Sequence, residues 1–300
     1  MPQTVVTTGK RFCDIDALAC VLTYPEIVPD TLPVITSPLN QSVTKQIRNW
    51  PLSYQSSLKS NGDWQFVIVD VSEENQFPPF VQKEKIIEIY DHHLGFEKIW
   101  EKKLGEKAKI EPVGACATLL WEEFKRRQPD KKISSLAAAL LYTAILSNTL
   151  NFLAETATER DKQAFEELKA FTNLPPDWIS QYYQDQERQA YLNTERAVLR
   201  DTKIETIKGL NCAIGQMELW NSRDFIKEKR NEIALVLKNF GQEYWFLISP
   251  SLGENRTYIY TKNQLIKEFL QRALRINFFD GDIGITEKLL TRKDILSKIQ

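Results

Sequence analysis

Up to about residue 93 the apolar positions come in short, nearly unbroken runs: TVVTTG from Thr4, LPVITS from Leu32, WQFVIVDVS from Trp64 and KIIEIYDHH from Lys85. These runs are rich in β-branched and aromatic residues and lack polar alternation, the pattern of strands buried on both faces and hence of a parallel sheet. Helix-compatible stretches at 16–23 and 41–50 lie between them. From about residue 113 the pattern turns helical. Residues 113–127 are amphipathic with a charged tail, 134–152 are almost wholly apolar and read as a buried helix, and 158–171 follow. Residues 175–200, charged and rich in Gln and Tyr, read as one long helix between domains. Beyond residue 200 strands return at 211–218, 244–251 and 256–261, with helices near 223–240 and 262–275. The expected architecture is α/β. A doubly wound parallel sheet occupies 1–190, a linker helix 191–200 and a smaller mixed α/β domain 201–300, with the active site in the cleft between domains.

A chain of 300 residues with 42% hydrophobic and 26% charged positions suits two domains of a globular protein. The net charge of −1 supplies no general attraction to nucleic acid or to anionic membrane. No nucleic-acid or membrane partner is therefore expected. The longest apolar run, 136–146, is too short to span a bilayer. The start of the chain has no basic segment followed by an apolar stretch, so a secretory signal is not expected. The four cysteines, Cys13, Cys20, Cys116 and Cys212, show no paired metal-ligand spacing. They read as reduced thiols of a cytoplasmic protein.

Candidate chemistry gathers at the strand ends. Both histidines of the chain stand side by side in Asp91-His92-His93, directly after a strand-like run. Imidazole is the commonest side-chain metal ligand and titrates near neutrality. The functional reading gives His92 to a metal, leaves His93 for a substrate oxygen, and has Asp91 orient its neighbours. Asp14 and Asp16 follow the first strand; the pair serves either as ligands or as a cap of the next helix. Asp70 ends the third run, as a ligand or as a turn residue. Asn148, in Ser147-Asn148-Thr149, is a polar break in an apolar helix that needs a partner.

Taken in order, Asp14-x-Asp16-Ala17, Asp70, Asp91-His92-His93, Val113-Gly114-Ala115-Cys116-Ala117-Thr118 and Ile145-Leu146-Ser147-Asn148-Thr149 resemble the motifs of the DHH phosphoesterase family. Asp201-x-Lys203, Ile214-Gly215-Gln216 and Leu290-Thr291-Arg292-Lys293 resemble the associated C-terminal domain of the manganese-dependent family II inorganic pyrophosphatases, an arrangement shared by Prune-like and yeast-type exopolyphosphatases. The resemblance implies a phosphoanhydride hydrolase acting on pyrophosphate or short polyphosphate, with one or two Mn²⁺ or Mg²⁺ ions. Asp14, Asp16, Asp70, His92 and the Asn148 carbonyl are the implied metal ligands, with Asp70 bridging. Asp70 is also implied as catalytic, together with the phosphate-binding cations His93, Lys203, Arg292 and Lys293. Two ions about 3.5–4 Å apart clamp the attacking and displaced oxygens of an in-line displacement. The resemblance also implies a possible homodimer.

Two positions depart from the family pattern. Lys10 stands where the pyrophosphatases carry histidine, and Asn148 where the family carries aspartate. Both changes weaken cation binding, and an ammonium at Lys10 is able to replace the first ion. A slow hydrolase is thus one expectation; a non-catalytic binder of a phosphorylated ligand or protein partner is the alternative. A nucleotide or oligonucleotide phosphoesterase is a third reading, disfavoured because no histidine follows His93.

Overall fold

The computed structural model describes residues 2–59 and 62–299. Two compact units emerge, one of residues 1–152 with 156–176, the other of 153–155 with 177–300. The division falls after Pro176 instead of near 190, because Ala190, Ala197 and Val198 pack into the core of the second unit.

The first unit runs β1 (Gln3–Thr7), α1 (Ile15–Ile27), β2 (Leu32–Val34), α2 (Lys45–Arg48), β3 (Trp64–Val69), β4 (Ile86–Asp91), α3 (Glu97–Leu104), β5 (Ala108–Ile110), α4 (Cys116–Arg127), α5 (Ser135–Asn148) and α6 (Glu159–Lys169). Its sheet has the order β2-β1-β3-β4-β5, and every pairing is parallel. One face carries Val5, Phe66, Ile68 and Ile86 against Trp100 of α3. The other presents Glu88 and Tyr90 to Tyr24 of α1 and Arg127 of α4. The strand order reverses between β1 and β3, the point at which an open α/β sheet leaves a crevice beyond its strand ends. The loops after β1, β3 and β4 carry Asp14, Asp70 and His92.

Several elements differ from their sequence reading for local reasons. The helix expected over 41–50 shrinks to one turn, because Ser42 closes on Asn40 and its hydroxyl accepts from the Ile15 amide at 2.9 Å. Helix α1 continues through Pro25, its last turn held by buried Tyr24 and Ile27. The stretch 175–200 is not one helix. It is α7 (Trp178–Leu192) and α8 (Thr194–Arg200), broken at Asn193, whose non-helical backbone lets its side chain accept from Arg196 N.

The second unit continues with β6 (Thr202–Ile207), β7 (Leu210–Gln216), α9 (Ser222–Lys238), β8 (Tyr244–Ser251), β9 (Arg256–Tyr260), α10 (Gln264–Leu274), β10 (Asn277–Phe279), β11 (Ile283–Ile285) and α11 (Arg292–Ile299). Its mixed sheet has the order β10-β11-β9-β8-β7-β6. Helix α9 packs one face through Phe225, Ile233 and Leu237; α10 and α11 pack the other through Ile266, Leu270 and Ile295. Among the described residues, no helix is long and apolar enough to cross a membrane.

Candidate metal centre

The site begins with unsatisfied backbone. Helix α4 starts after Ala115, which has no side chain to cap it, so the first N–H groups need an acceptor from elsewhere. Asp16, from the first turn of α1, supplies it. Its two oxygens accept from Cys116 N and Ala117 N, each at 2.8 Å. The Asn148 amide adds a third bond at 2.7 Å from the end of α5. Asp16 therefore sits fully buried on a helix N-terminus, whose amides and dipole favour its ionised form. Asp14 caps α1, its Oδ1 accepting from Ala17 N at 2.9 Å. Both aspartates do capping work, and both also border the charged cluster.

His92 and Asp70 supply the rest. The Nδ1 of His92 lies 3.2 Å from the Val113 carbonyl. A carbonyl only accepts, so Nδ1 carries the proton and Nε2 exposes its lone pair. That Nε2 lies 3.4 Å from Asp70 Oδ1 and 3.9 Å from Asp16 Oδ2. Burial, aided by neighbouring His93, pushes the His92 pKa down to about 4, so the ring is neutral at physiological pH. Asp70 Oδ1 is buried with no hydrogen-bond partner among the described residues. Its backbone is left-handed at φ 59°, a conformation that costs energy for a residue other than glycine. A lone pair and an unpartnered carboxylate oxygen face each other, with a second carboxylate beside them. This donor set fits a divalent cation, which removes the repulsion among all three.

His93 and Asp91 form a pair at the rim. Asp91, fully buried, accepts from His92 N at 2.8 Å, His93 N at 3.1 Å and His93 Nδ1 at 2.8 Å. Burial alone lowers the His93 pKa, but the hydrogen bond and charge of Asp91 outweigh it and raise it. The His93 side chain is 65% exposed, open to an incoming anion. One donor atom each of Asp70, His92 and His93 lie within 4.8 Å of one another. The structure thus joins Asp16, Asp70, His92 and His93, with Asp14 and Asn148 bordering them. Lys10 is exposed, and its backbone amide donates to Gln76 O.

The predicted cations of the second unit are placed within that unit as follows. Arg292 is nearly buried at the start of α11. Its guanidinium donates to Asp201 O and Oδ1, both at 2.8 Å, and to Ile214 O at 3.2 Å. Lys203 at the start of β6 and Lys293 beside Arg292 are exposed.

Sequence reasoning missed Asp161. This buried residue of α6 accepts from Gly114 N at 2.8 Å, Thr118 Oγ1 at 2.6 Å and the Thr158 amide and hydroxyl. It holds the turn whose Val113 carbonyl orients His92. The available signal was Thr158-x-x-Asp161, a capping-box pattern that the structure completes. The same turn is why position 114 is glycine. A Cβ there would meet Thr149 Cγ2 at 2.7 Å and Asp161 Oδ2 at 2.9 Å. Gly114→Ala is expected to destabilise the protein by about 1–3 kcal/mol, read as a lowered midpoint in chemical denaturation.

Burial, then the charge of Asp14, raises Asp16 from its ordinary 3.8 to about 7. Burial, Asp14 and Asp16 raise Asp70 in the same direction. Raised folded-state values mean that the folded chain holds protons the unfolded chain has released. Their contribution to stability is complete below the unfolded value and is lost as pH rises through the folded value. Without divalent ions, these two carboxyls should therefore lower the thermal midpoint as pH rises from about 4 to about 7, against the smaller opposing contribution of His92, and saturating Mn²⁺ should flatten that fall. A midpoint rising over that interval would contradict the cluster.

These features define a class: a doubly wound parallel sheet with a cluster of acidic and histidine side chains at its topological switch point, followed by a mixed α/β unit. No protein-family model matches the chain. The resemblance read from the motifs nevertheless extends over its length. It is 23% identical over 305 residues to the manganese-dependent inorganic pyrophosphatase of Methanothrix thermoacetophila, covering 98% of this chain and 96% of that one. It is 24% identical over 297 residues to the enzyme of the same name from Methanocaldococcus jannaschii, covering 95% and 94%. A solved Methanococcus jannaschii structure assigned to the family II inorganic pyrophosphatases aligns over 99% of both chains, with a TM-score of 0.70 at 21% identity. An exopolyphosphatase-related protein from Bacteroides fragilis aligns with a TM-score of 0.52 at 13% identity, over 99% of this chain and 90% of that one. The two-domain α/β fold is therefore that of the family II pyrophosphatases.

Proposed function

We propose that this protein is a manganese-dependent hydrolase of inorganic pyrophosphate. The observation that carries the reading is the neutral His92 Nε2 facing the unpartnered Asp70 Oδ1 at 3.4 Å. The names of the full-length relatives supply the substrate. Asp16, Asp70 and His92 would hold the ion, with Asp14 and the Asn148 carbonyl as further oxygen donors. When bound, the ion supplies Lewis acidity toward phosphoryl oxygens and acidifies water at neutral pH.

The chain's own groups do the rest. Asp91 fixes the ring of His93 through Nδ1 and favours its protonated form, leaving the exposed edge of the imidazole to a phosphate oxygen. Val113 O fixes the tautomer of His92 and keeps its lone pair inward. Lys203 and Lys293 would neutralise further phosphate charge as flexible point cations. Arg292, committed to Asp201 and Ile214, has further N–H groups without an acceptor among the described residues, and these would serve the same purpose.

The test is phosphate release from pyrophosphate and from tripolyphosphate with Mn²⁺ or Mg²⁺, against an Asp70→Ala control. Metal-dependent release lost in the control supports the proposal, and faster release from tripolyphosphate would move the substrate to short polyphosphate. No turnover with either metal would overturn it in favour of a phosphate-binding protein.

A further inference from the structure

The second unit contains a cavity of about 580 Å³ lined by Arg223, Glu254, Arg256, Tyr258, Phe279 and Ile285. It lies apart from the cations already assigned. Tyr258 and Ile283 pack with Phe225 and Leu237 of α9 on one face of the sheet, with Phe279 and Ile285 against them. Leu290 and Ile295, which flank Arg292 and Lys293, pack on the other face with α10. The cavity therefore opens on the α9 side.

Its chemistry is specific. Arg223 and Arg256 are exposed, and neither pairs with a carboxylate among the described residues. Two guanidinium groups at one cavity form a site for an anion, and their planar fork suits phosphate oxygens. The accessible floor is Phe279 and Ile285, with Tyr258 buried beneath them. Tyr258 and Phe279 meet edge to face with centroids 6.4 Å apart, and the Arg223 guanidinium lies 5.8 Å from the Phe279 centroid. Ile285 adds apolar surface. Glu254, hydrogen-bonded to the Tyr258 hydroxyl, leaves acceptor capacity at the rim for a sugar hydroxyl or an amino group.

We propose that this cavity binds a nucleoside diphosphate, with Arg223 and Arg256 on the phosphates, the base against Phe279 and Ile285, and Glu254 on the ribose. This is a binding function, independent of the metal centre and of any turnover there. The test is calorimetric titration of the full chain with ADP in the presence of EDTA, so that failure of the hydrolase reading leaves it untouched. One ADP per chain is expected. Arg223→Ala and Arg256→Ala should each weaken binding by about 10- to 100-fold, the value of a hydrogen bond to a charged group. Both positions are exposed, and circular dichroism verifies that the variants fold. Asp70→Asn should leave ADP affinity unchanged. Absence of binding at millimolar ADP, or affinity indifferent to both arginines, overturns the proposal. Inorganic phosphate binding as tightly as ADP would reduce the site to a simple anion pocket, and adenosine binding as tightly would remove the role of the arginines. Either result also overturns it.

Discussion

Asp70→Asn is expected to lower Mn²⁺-dependent pyrophosphate hydrolysis by roughly 10²- to 10³-fold or more, the scale of losing one preorganised electrostatic group. The same change should raise the thermal midpoint of the metal-free protein at about pH 8. The two effects have one cause. Asp70 Oδ1 is buried without a hydrogen-bond partner among the described residues, and burial together with Asp14 and Asp16 opposes its ionisation. Without a cation that charge is a liability, and with one it is the ligand. Asparagine keeps the shape and tolerates the left-handed backbone at φ 59°, so a folding defect is not expected. Steady-state kinetics and differential scanning calorimetry on the same preparation check both halves. Undiminished activity would remove Asp70 from the reaction.

The second large effect is expected at Asn148. Its Nδ2 donates to Asp16 Oδ2 at 2.7 Å. Facing a carboxylate, the amide turns its N–H inward; facing a cation, it must turn its oxygen instead. Asn148→Asp removes this choice. Two carboxylates then meet in a buried place, and the metal-free protein should lose about 1–3 kcal/mol from the broken hydrogen bond and the repulsion. In return, Mn²⁺ affinity should rise about tenfold or more, since affinity follows the number of ligand charges. Adding Lys10→His should increase it further, because it replaces a cation with a neutral donor. Titration with Mn²⁺ followed by calorimetry separates these terms. A double variant that binds Mn²⁺ no more tightly than the parent would place neither position at the ion.

How much of this was visible beforehand depends on how local each feature is. The strands ending at Val69 and Asp91 were legible because central parallel strands are buried on both faces and read as continuous apolar runs. Strand β5 was not, since Ala108–Ile110 is three residues in a charged stretch. The break at Asn193 was hidden because Gln, Tyr and Arg on both sides suit a helix. Only the docking of Ala190 and Val198 on one core requires the turn. In the site, Asp70, His92 and His93 were named from sequence and do converge. Asp161 went unnoticed because its partners Gly114 and Thr118 lie 47 and 43 positions away.

The amino-acid order alone determined the inventory: which side chains able to hold a cation exist, and that each follows an apolar run ending in a loop. It did so because burial periodicity is set by neighbours a few positions apart. The tertiary structure decided what those groups do. Asp16 reaches the amides of Cys116 and Ala117, 100 and 101 positions later, and becomes the cap of a helix that lacks its own. Val113 O selects which nitrogen of His92 carries its proton. The Asp201 carboxylate and backbone hold Arg292, 91 positions along the chain. Such pairings depend on how helices and strands pack in three dimensions, and no local pattern encodes the orientation of a lone pair.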